Sequence, residues 1–273
     1  MYLAFCDSLP HHKVSKYLTT ERCNVKLPFE IDRGIGTSAT LGLIVLQDDE
    51  TLEHEMALLL HSEGVALYHS RIPMVPEITS ATLHKMESEL PLAIAMLPSA
   101  AEFDVIGFGC TSGATIIGAD NVTAAVRKVR PAAKVTNPIT AVMAACDALK
   151  VKRLGFVTPY VEQVSAAMRA LLEGNGYKIA GFGSFEESDD RVVARISPQS
   201  LLQAITAVDA MAECDAVFVS CTNLRVIGIV EEAERRIGKP VISSNIALAW
   251  HMQELAGLRP TNNNCGALLR LQV

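Results

Sequence analysis

The 273-residue sequence has no excess of basic charge, no long apolar run and no paired-cysteine motif, and each absence removes a class of function. Lys and Arg number 24 against 30 Asp and Glu, for a net charge of -6, and no Lys/Arg-rich run or RNA-binding aromatic motif offsets that acidity. Nucleic acid is therefore not an expected partner. No apolar run approaches the roughly 18 residues of a membrane span. The opening MYLAFCDSLPHHK lacks the basic stretch, apolar core and small-residue cleavage site of an export signal. The expectation is a soluble cytoplasmic protein with no membrane partner. Seven cysteines without CxxC pairs or Cys/His ligand spacing imply neither a disulfide framework nor a metal site. Cys146 and Cys214 read as core filler, and Cys6, Cys23 and Cys265 carry no pattern. His11, His12 and His54 read as solvated or packed side chains. GFGCTSG lacks the GxGxxG order and the Lys-Ser/Thr of a phosphate loop, which argues against nucleotide binding.

What is abundant is apolar residue, 49% of the chain, arranged in short runs. Strands are expected at 41–46, 64–72, 103–109, 153–158, 177–185, 215–220 and 239–243. Helices are expected near 51–62, 79–96, 120–130, 138–149, 161–174, 199–212, 226–237 and 245–256. Continuous apolar strands alternating with amphipathic helices predict an α/β fold with parallel sheets covered on both faces. Residues 1–33 have no clear period and read as an arm that packs on a partner subunit, making the protein a homo-oligomer.

The chain also repeats itself. DVIGFGCT (104–111) matches DAVFVSCT (215–222) at an offset of 111 residues, and LGLIVLQ (41–47) matches LGFVTPY (154–160) at 113. KVTNPITA (134–141) is echoed more loosely by VISSNIAL (241–248). The expectation is two similar α/β halves related by a pseudo-twofold axis. Residues 34–137 plus 244–273 would form the first half and 138–243 the second, with the ligand site in the cleft between them. Parallel sheets bind ligands beyond the carboxyl ends of their strands, which is where Cys110 and Cys221 fall. A cysteine at a strand-to-helix turn sees a helix dipole and free backbone N–H groups, so both thiols are expected to be partly ionised near pH 7. Two facing thiols can serve as the two bases of a racemase. They can also add to and leave a cis alkene conjugated to a carboxylate. Thr111, Ser112, Thr222 and Asn223 are placed to donate hydrogen bonds to that carboxylate as its charge grows.

At CTSG, SCTNLR, FVTPY and KPVISSN the sequence resembles the aspartate/glutamate racemase superfamily, in the branch of maleate cis-trans isomerase and arylmalonate decarboxylase. GLIVLQDDETLEHE and ESDDRVVARI resemble the ectoine-utilisation racemase-like (EutA) proteins more closely. The resemblance spans about Gly42 to Leu255 and implies catalysis without a cofactor. It also implies Cys110 as the first-half thiol, Cys221 as the second-half thiol and nucleophile, and Tyr160 as a phenol that hydrogen-bonds a substrate carboxylate. Thr111 and Ser112 match a hydroxyl pair that cradles a carboxylate in the decarboxylase.

Two departures bear on the reaction. Arylmalonate decarboxylases have glycine where this chain has Cys110, which argues against a one-thiol decarboxylation. Maleate isomerases carry asparagines where the best alignment puts Asp49 and Asp190. An acid facing a dianion would cost ~1 kcal/mol or more at contact. The aspartates instead suit an amino acid or N-acyl amino acid, or else act as loop acids and helix N-caps. The leading reading is a racemase or cis-trans isomerase of a small carboxylate, which could be an amino acid, an N-acyl amino acid or a maleate-like diacid. The alternatives are a decarboxylase-like lyase and a non-enzymatic small-acid sensor.

Overall fold

The strands form where apolar and β-branched residues run unbroken, and their burial on both faces shows why alternation is missing. In β1 (Ala39–Leu46) seven of the eight positions are buried, and in β3 (Val105–Gly109) all five are. β1, β2 (Val65–Ile72), β3 and β4 (Lys134–Thr136) make a parallel sheet in the order β2-β1-β3-β4. β5 (Arg153–Thr158), β6 (Lys178–Ser184), β7 (Ala216–Val219) and β8 (Val241–Ser243) make a second parallel sheet in the order β6-β5-β7-β8. The repeated sequence thus builds the same four-stranded topology twice. This computed structural model describes residues 27–75, 79–260 and 264–271, and Arg33–Val273 is one unit. Most of the arm expected over 1–33, with Cys6, Cys23, His11 and His12, lies outside the described residues.

The connecting helices of the first half are α1 (Leu52–Leu60), α2 (Ser80–Ala95), α3 (Thr111–Ile117) and α4 (Ala119–Val129). They are followed by α5 (Pro138–Ala148), α6 (Glu162–Gly174), α7 (Asp190–Val193), α8 (Pro198–Asp209), α9 (Val230–Ile237) and α10 (Ser244–Ala256). Their starts carry a local chemical cause. Asn137, Ser197 and Ser243 accept backbone N–H groups three residues on, capping α5, α8 and α10, and proline opens α5 and α8. Gly238 and Gly257 end α9 and α10 with left-handed φ of 68° and 72°. Among the described residues no helix is long and apolar enough to cross a membrane.

Three details depart from expectation. β4 is a three-residue edge strand, too short to show any period. α3 begins directly after Cys110, where no helix was expected. The helix expected from residue 226 starts at Val230, after a 3-10 turn at Ile227–Ile229.

The sheet interiors are packed tightly. Phe156 and Phe218, on neighbouring strands of the second sheet, stack with centroids 5.3 Å apart at 9°. Burying each ring contributes about 2–3 kcal/mol. Register sets where the chemistry falls. Val45 pairs with Gly109, and Val157 with Val219, so the central strands of each sheet end at one level. The last residue of β3 tolerates no side chain, because a Cβ at Gly109 would meet Leu52 and lie 3.0 Å from the Ile44 carbonyl oxygen. Gly109→Ala is expected to lower the free energy of unfolding by about 1–3 kcal/mol, read from urea denaturation.

Candidate active site

Cys110 and Cys221 follow β3 and β7, the equivalent central strands of the two sheets, and the two Cys-Thr turns touch. Ser244, the first residue of α10, joins them: its Oγ accepts the Thr111 hydroxyl at 2.8 Å and the Cys221 backbone N–H at 3.0 Å. The Thr222 hydroxyl in turn donates to the Gly109 carbonyl at 3.4 Å. Tyr160, beyond β5, turns its hydroxyl to Cys221 and lies within electrostatic reach of both thiols. Asp49, beyond β1, and Asp190, at the start of α7, also act electrostatically on both thiols. The site is closed to solvent: Cys110, Cys221, Tyr160, Asp49 and Asp190 are each exposed by 4% or less.

The two thiols sit in different backbones despite their matching sequence. Cys110 caps α3 in an extended conformation, and its Sγ accepts the Gly113 N–H at 3.1 Å with the Ser112 hydroxyl 3.6 Å away. Cys221 starts no helix. It is held at φ 113°, a region that favours glycine, and its Sγ accepts the Asn223 N–H at 3.4 Å. Such a residue stores about 1–3 kcal/mol of strain.

Burial works against the expected partial ionisation of the thiols. Burial pushes the Cys110 thiol up to about 12 and Cys221 well above its ordinary value, and the charges of Asp190 and Asp49 push the same way. The backbone N–H groups lower both values by less than desolvation raises them.

Several side chains expected to face substrate have protein partners. Asn223 is a clamp: its Oδ1 accepts the Glu50 N–H at 3.0 Å and its Nδ2 donates to the Asp190 carbonyl at 3.0 Å. Its own carbonyl accepts the Thr51 hydroxyl at 3.0 Å. The hydroxyls of Thr111 and Thr222 are committed as described. Asp49 Oδ1 accepts the N–H groups of Thr51, the N-cap of α1, and of Leu52 at 2.8 and 2.7 Å. The Thr222 hydroxyl also lies within hydrogen-bonding reach of the Asp49 carboxyl, and the Asn223 side chain within reach of that of Asp190. Among the described residues no group of His, Cys, Asp or Glu could hold a metal ion.

Sequence reasoning passed over three supporting residues. Besides Ser244, Asn245 donates to the Thr222 carbonyl at 2.8 Å and to Glu55 Oε2 at 2.7 Å. Glu55 Oε1 accepts the backbone N–H groups of Val226 and Ile227 at 3.0 and 3.1 Å. This buried acid of the first half therefore fixes the turn that carries Cys221. The signals were present, Ser-Ser-Asn in the loose second-half echo and Glu55 on α1, but neither residue type names its partner.

Two α/β halves of one topology, meeting at paired Cys-Thr turns beside a tyrosine and two buried acids, define a class of pseudo-twofold proteins with a cysteine-centred site. Within that class the chain belongs to the arylmalonate decarboxylase family, which matches residues 104–269, and so to the aspartate/glutamate racemase superfamily. It is 27% identical to the maleate isomerase of Nocardia farcinica over 240 residues, covering 84% of this chain and 95% of that protein. It is 24% identical to the maleate isomerase of Pseudomonas putida over 241 residues, covering 84% and 96%. A structure of Nocardia farcinica maleate cis-trans isomerase, a cysteine-to-serine mutant with a covalently bound succinylcysteine intermediate, matches with a TM-score of 0.79 at 25% identity. That match covers 86% of this chain and 99% of the other.

Two predictions follow from strain and burial. Cys221→Gly removes the unfavourable φ at the cost of chain entropy, so it is expected to be about 1 kcal/mol more stable than Cys221→Ala, compared by chemical denaturation. The second concerns pH. Burial raises Glu55 from 4.5 to about 7, and burial with the Asp49 charge raises Asp190 from 3.8 to about 7. Because the folded state favours their neutral forms, their stabilisation is complete below about pH 4 and is lost as pH rises to about 7. Stability should fall across that window by on the order of 3–4 kcal/mol per group. Glu55→Gln or Asp190→Asn should flatten the slope in denaturation series between pH 4.5 and 8.

Proposed function

We propose that this chain is a cofactor-independent isomerase that uses Cys110 and Cys221 to racemise or cis-trans isomerise a small carboxylate. The observation that carries the reading is the junction at Ser244, where the Thr111 hydroxyl and the Cys221 N–H converge at 2.8 and 3.0 Å on one oxygen. One thiol is thereby contributed from each half. The maleate isomerases among its relatives, and the succinylcysteine in the Nocardia farcinica enzyme, support isomerase chemistry through a cysteine of this fold.

Activation removes one proton from the thiol pair to solvent, leaving one thiolate and one thiol, and the Gly113 and Asn223 N–H groups favour the anion. In racemisation the thiolate takes the proton from Cα, and the opposite thiol supplies its own to the far face. The two have then exchanged states. In cis-trans isomerisation the thiolate forms a C–S bond to the alkene carbon while the π pair moves onto the conjugated carboxylate. Rotation about the new single bond follows, and the returning pair expels the thiolate. Tyr160 and the Ser112 hydroxyl serve as donors to the charge that grows on the carboxylate. Cys221, strained and beside the tyrosine hydroxyl, is the nucleophile of the covalent route.

The family match favours one second reading, decarboxylation of a substituted malonate, which needs Cys221 but tolerates loss of Cys110. Proton NMR in deuterium oxide separates the cases: deuterium washed into Cα reports racemisation, and fumarate formed from maleate reports isomerisation. Cys110→Ala and Cys221→Ala are each expected to lower turnover at least 10³-fold, on the scale of losing an acid–base or nucleophilic group. Wild-type rates in Cys110→Ala would move the assignment to the decarboxylase. Unchanged binding with no turnover of any substrate would leave a small-acid sensor.

A further inference from the structure

Both oxygens of the buried Glu55 are taken, and every partner is a donor. Oε1 accepts the backbone N–H groups of Val226 and Ile227 at 3.0 and 3.1 Å, and Oε2 accepts the Asn245 amide at 2.7 Å. The same Asn245 nitrogen donates to the Thr222 carbonyl at 2.8 Å. The orientation of that amide is therefore fixed, since only its nitrogen suits two acceptors. The Thr222 carbonyl shares a peptide plane with the Asn223 N–H, which donates to the Cys221 sulfur at 3.4 Å. An unbroken relay thus runs from a carboxylate on α1, through α10, to the second-half thiol. Cys110 is served differently: its N–H comes from Gly113, inside the first turn of α3.

A proton added to Glu55 would face a donor on either oxygen. At Oε2 it meets the Asn245 NH2, and the amide can accept it only by turning over. Asn245 Oδ1, buried with no hydrogen-bond partner among the described residues, would then take the proton. That turn sets the amide oxygen against the Thr222 carbonyl, acceptor against acceptor, and the peptide loses the bond that aims the Asn223 N–H at sulfur. Burial raises Glu55 from 4.5 to about 7, so both of its forms are populated near neutral pH. Asp49 opposes its ionisation, Cys265 lies within its electrostatic reach, and Glu50, His54 and Arg225 line the cavity that it borders.

We infer that Glu55 and Asn245 are positioning residues for Cys221: the Glu55 carboxylate holds the Asn245 amide, which holds the Thr222–Asn223 peptide with its N–H on the sulfur. This rests on the reading above of Cys221 as a reacting thiol. A peptide whose carbonyl accepts a hydrogen bond is also the stronger donor, so the relay both aims and strengthens the N–H that favours the thiolate. It serves one thiol of the pair. Ionisation of Glu55 therefore makes Cys221 more reactive and leaves Cys110 as it was.

The test is alkylation of the full folded chain by iodoacetamide, with initial rates at Cys110 and Cys221 read separately by peptide mass spectrometry. The ratio of the Cys221 rate to the Cys110 rate cancels any opening step that admits the reagent to both. In the wild type that ratio is expected to rise about fivefold or more between pH 5.5 and 8, on the scale of one hydrogen bond to a charged group, and to level off above about pH 7. The rise should survive Asp190→Asn, because the Asp190 charge opposes both thiolates. Glu55→Gln places an NH2 where the protonated acid has its O–H, so it should hold the ratio at its low-pH value throughout. Asn245→Ala should do the same, and neither variant should change the Cys110 rate. The wild-type profile decides the matter even where a variant does not fold. A flat wild-type ratio overturns the inference, as does a Glu55→Gln protein that keeps the rise, or variants that change both thiols alike, as general loosening would. Alkylation needs no substrate, so failure here leaves the deuterium and fumarate tests of the isomerase intact, and failure of those tests leaves the relay in place.

Discussion

The two halves are held in working relation by a network of direct hydrogen bonds between their turns. Ser244 takes one donor from each Cys-Thr turn, Asn245 and Glu55 hold the second turn from behind, and Asn223 grips the loops of Asp49 and Asp190. Each bond contributes only about 1 kcal/mol net, but an unmade one in this enclosed place costs more than that. The arrangement is consequently all-or-none: a shift of one turn would leave several buried donors and acceptors without partners. Rigidity of this kind suits chemistry in which two thiols must address opposite faces of one carbon.

The same enclosure sets the electrostatics. Desolvation is the largest cause of the raised values of Cys110, Cys221, Tyr160, Asp190 and Glu55, outweighing every stabilising hydrogen bond around them. Burial thus works against a thiolate at either sulfur, and the N–H groups aimed at each sulfur work for it. The strained φ of Cys221 is a further cost in the folded protein, at a turn of the candidate site, as expected where stability is given up for function.

Much of the architecture was legible in sequence. Unbroken apolar runs gave the parallel sheets, and the Cys-Thr repeat at an offset of 111 residues located both central turns. These features report on burial and duplication, which single-residue patterns record directly. The rest depends on contacts far apart in the chain. That Asn223 would clamp loops instead of facing ligand is decided by Glu50 and Asp190, 173 and 33 residues away. Position at a strand end announces a helix dipole to each thiol but not the loss of solvent, which here pushes the other way. β4 escaped notice because its Lys-Val-Thr run holds one apolar residue, whereas β8, of equal length, holds two.

The duplication also shows how symmetry is broken where chemistry needs two roles. Matching sequences at CT produce an extended N-cap at Cys110 and a strained φ of 113° at Cys221, because α3 begins at once after the first turn while the second chain segment winds through Asn223 before a helix resumes. Each sulfur still receives one backbone N–H, from Gly113 three residues on and from Asn223 two residues on. The anion-stabilising device is therefore conserved between the halves while the angle of approach is not. Two thiols delivered by inequivalent backbones are thereby set at different angles, which identical turns could not do.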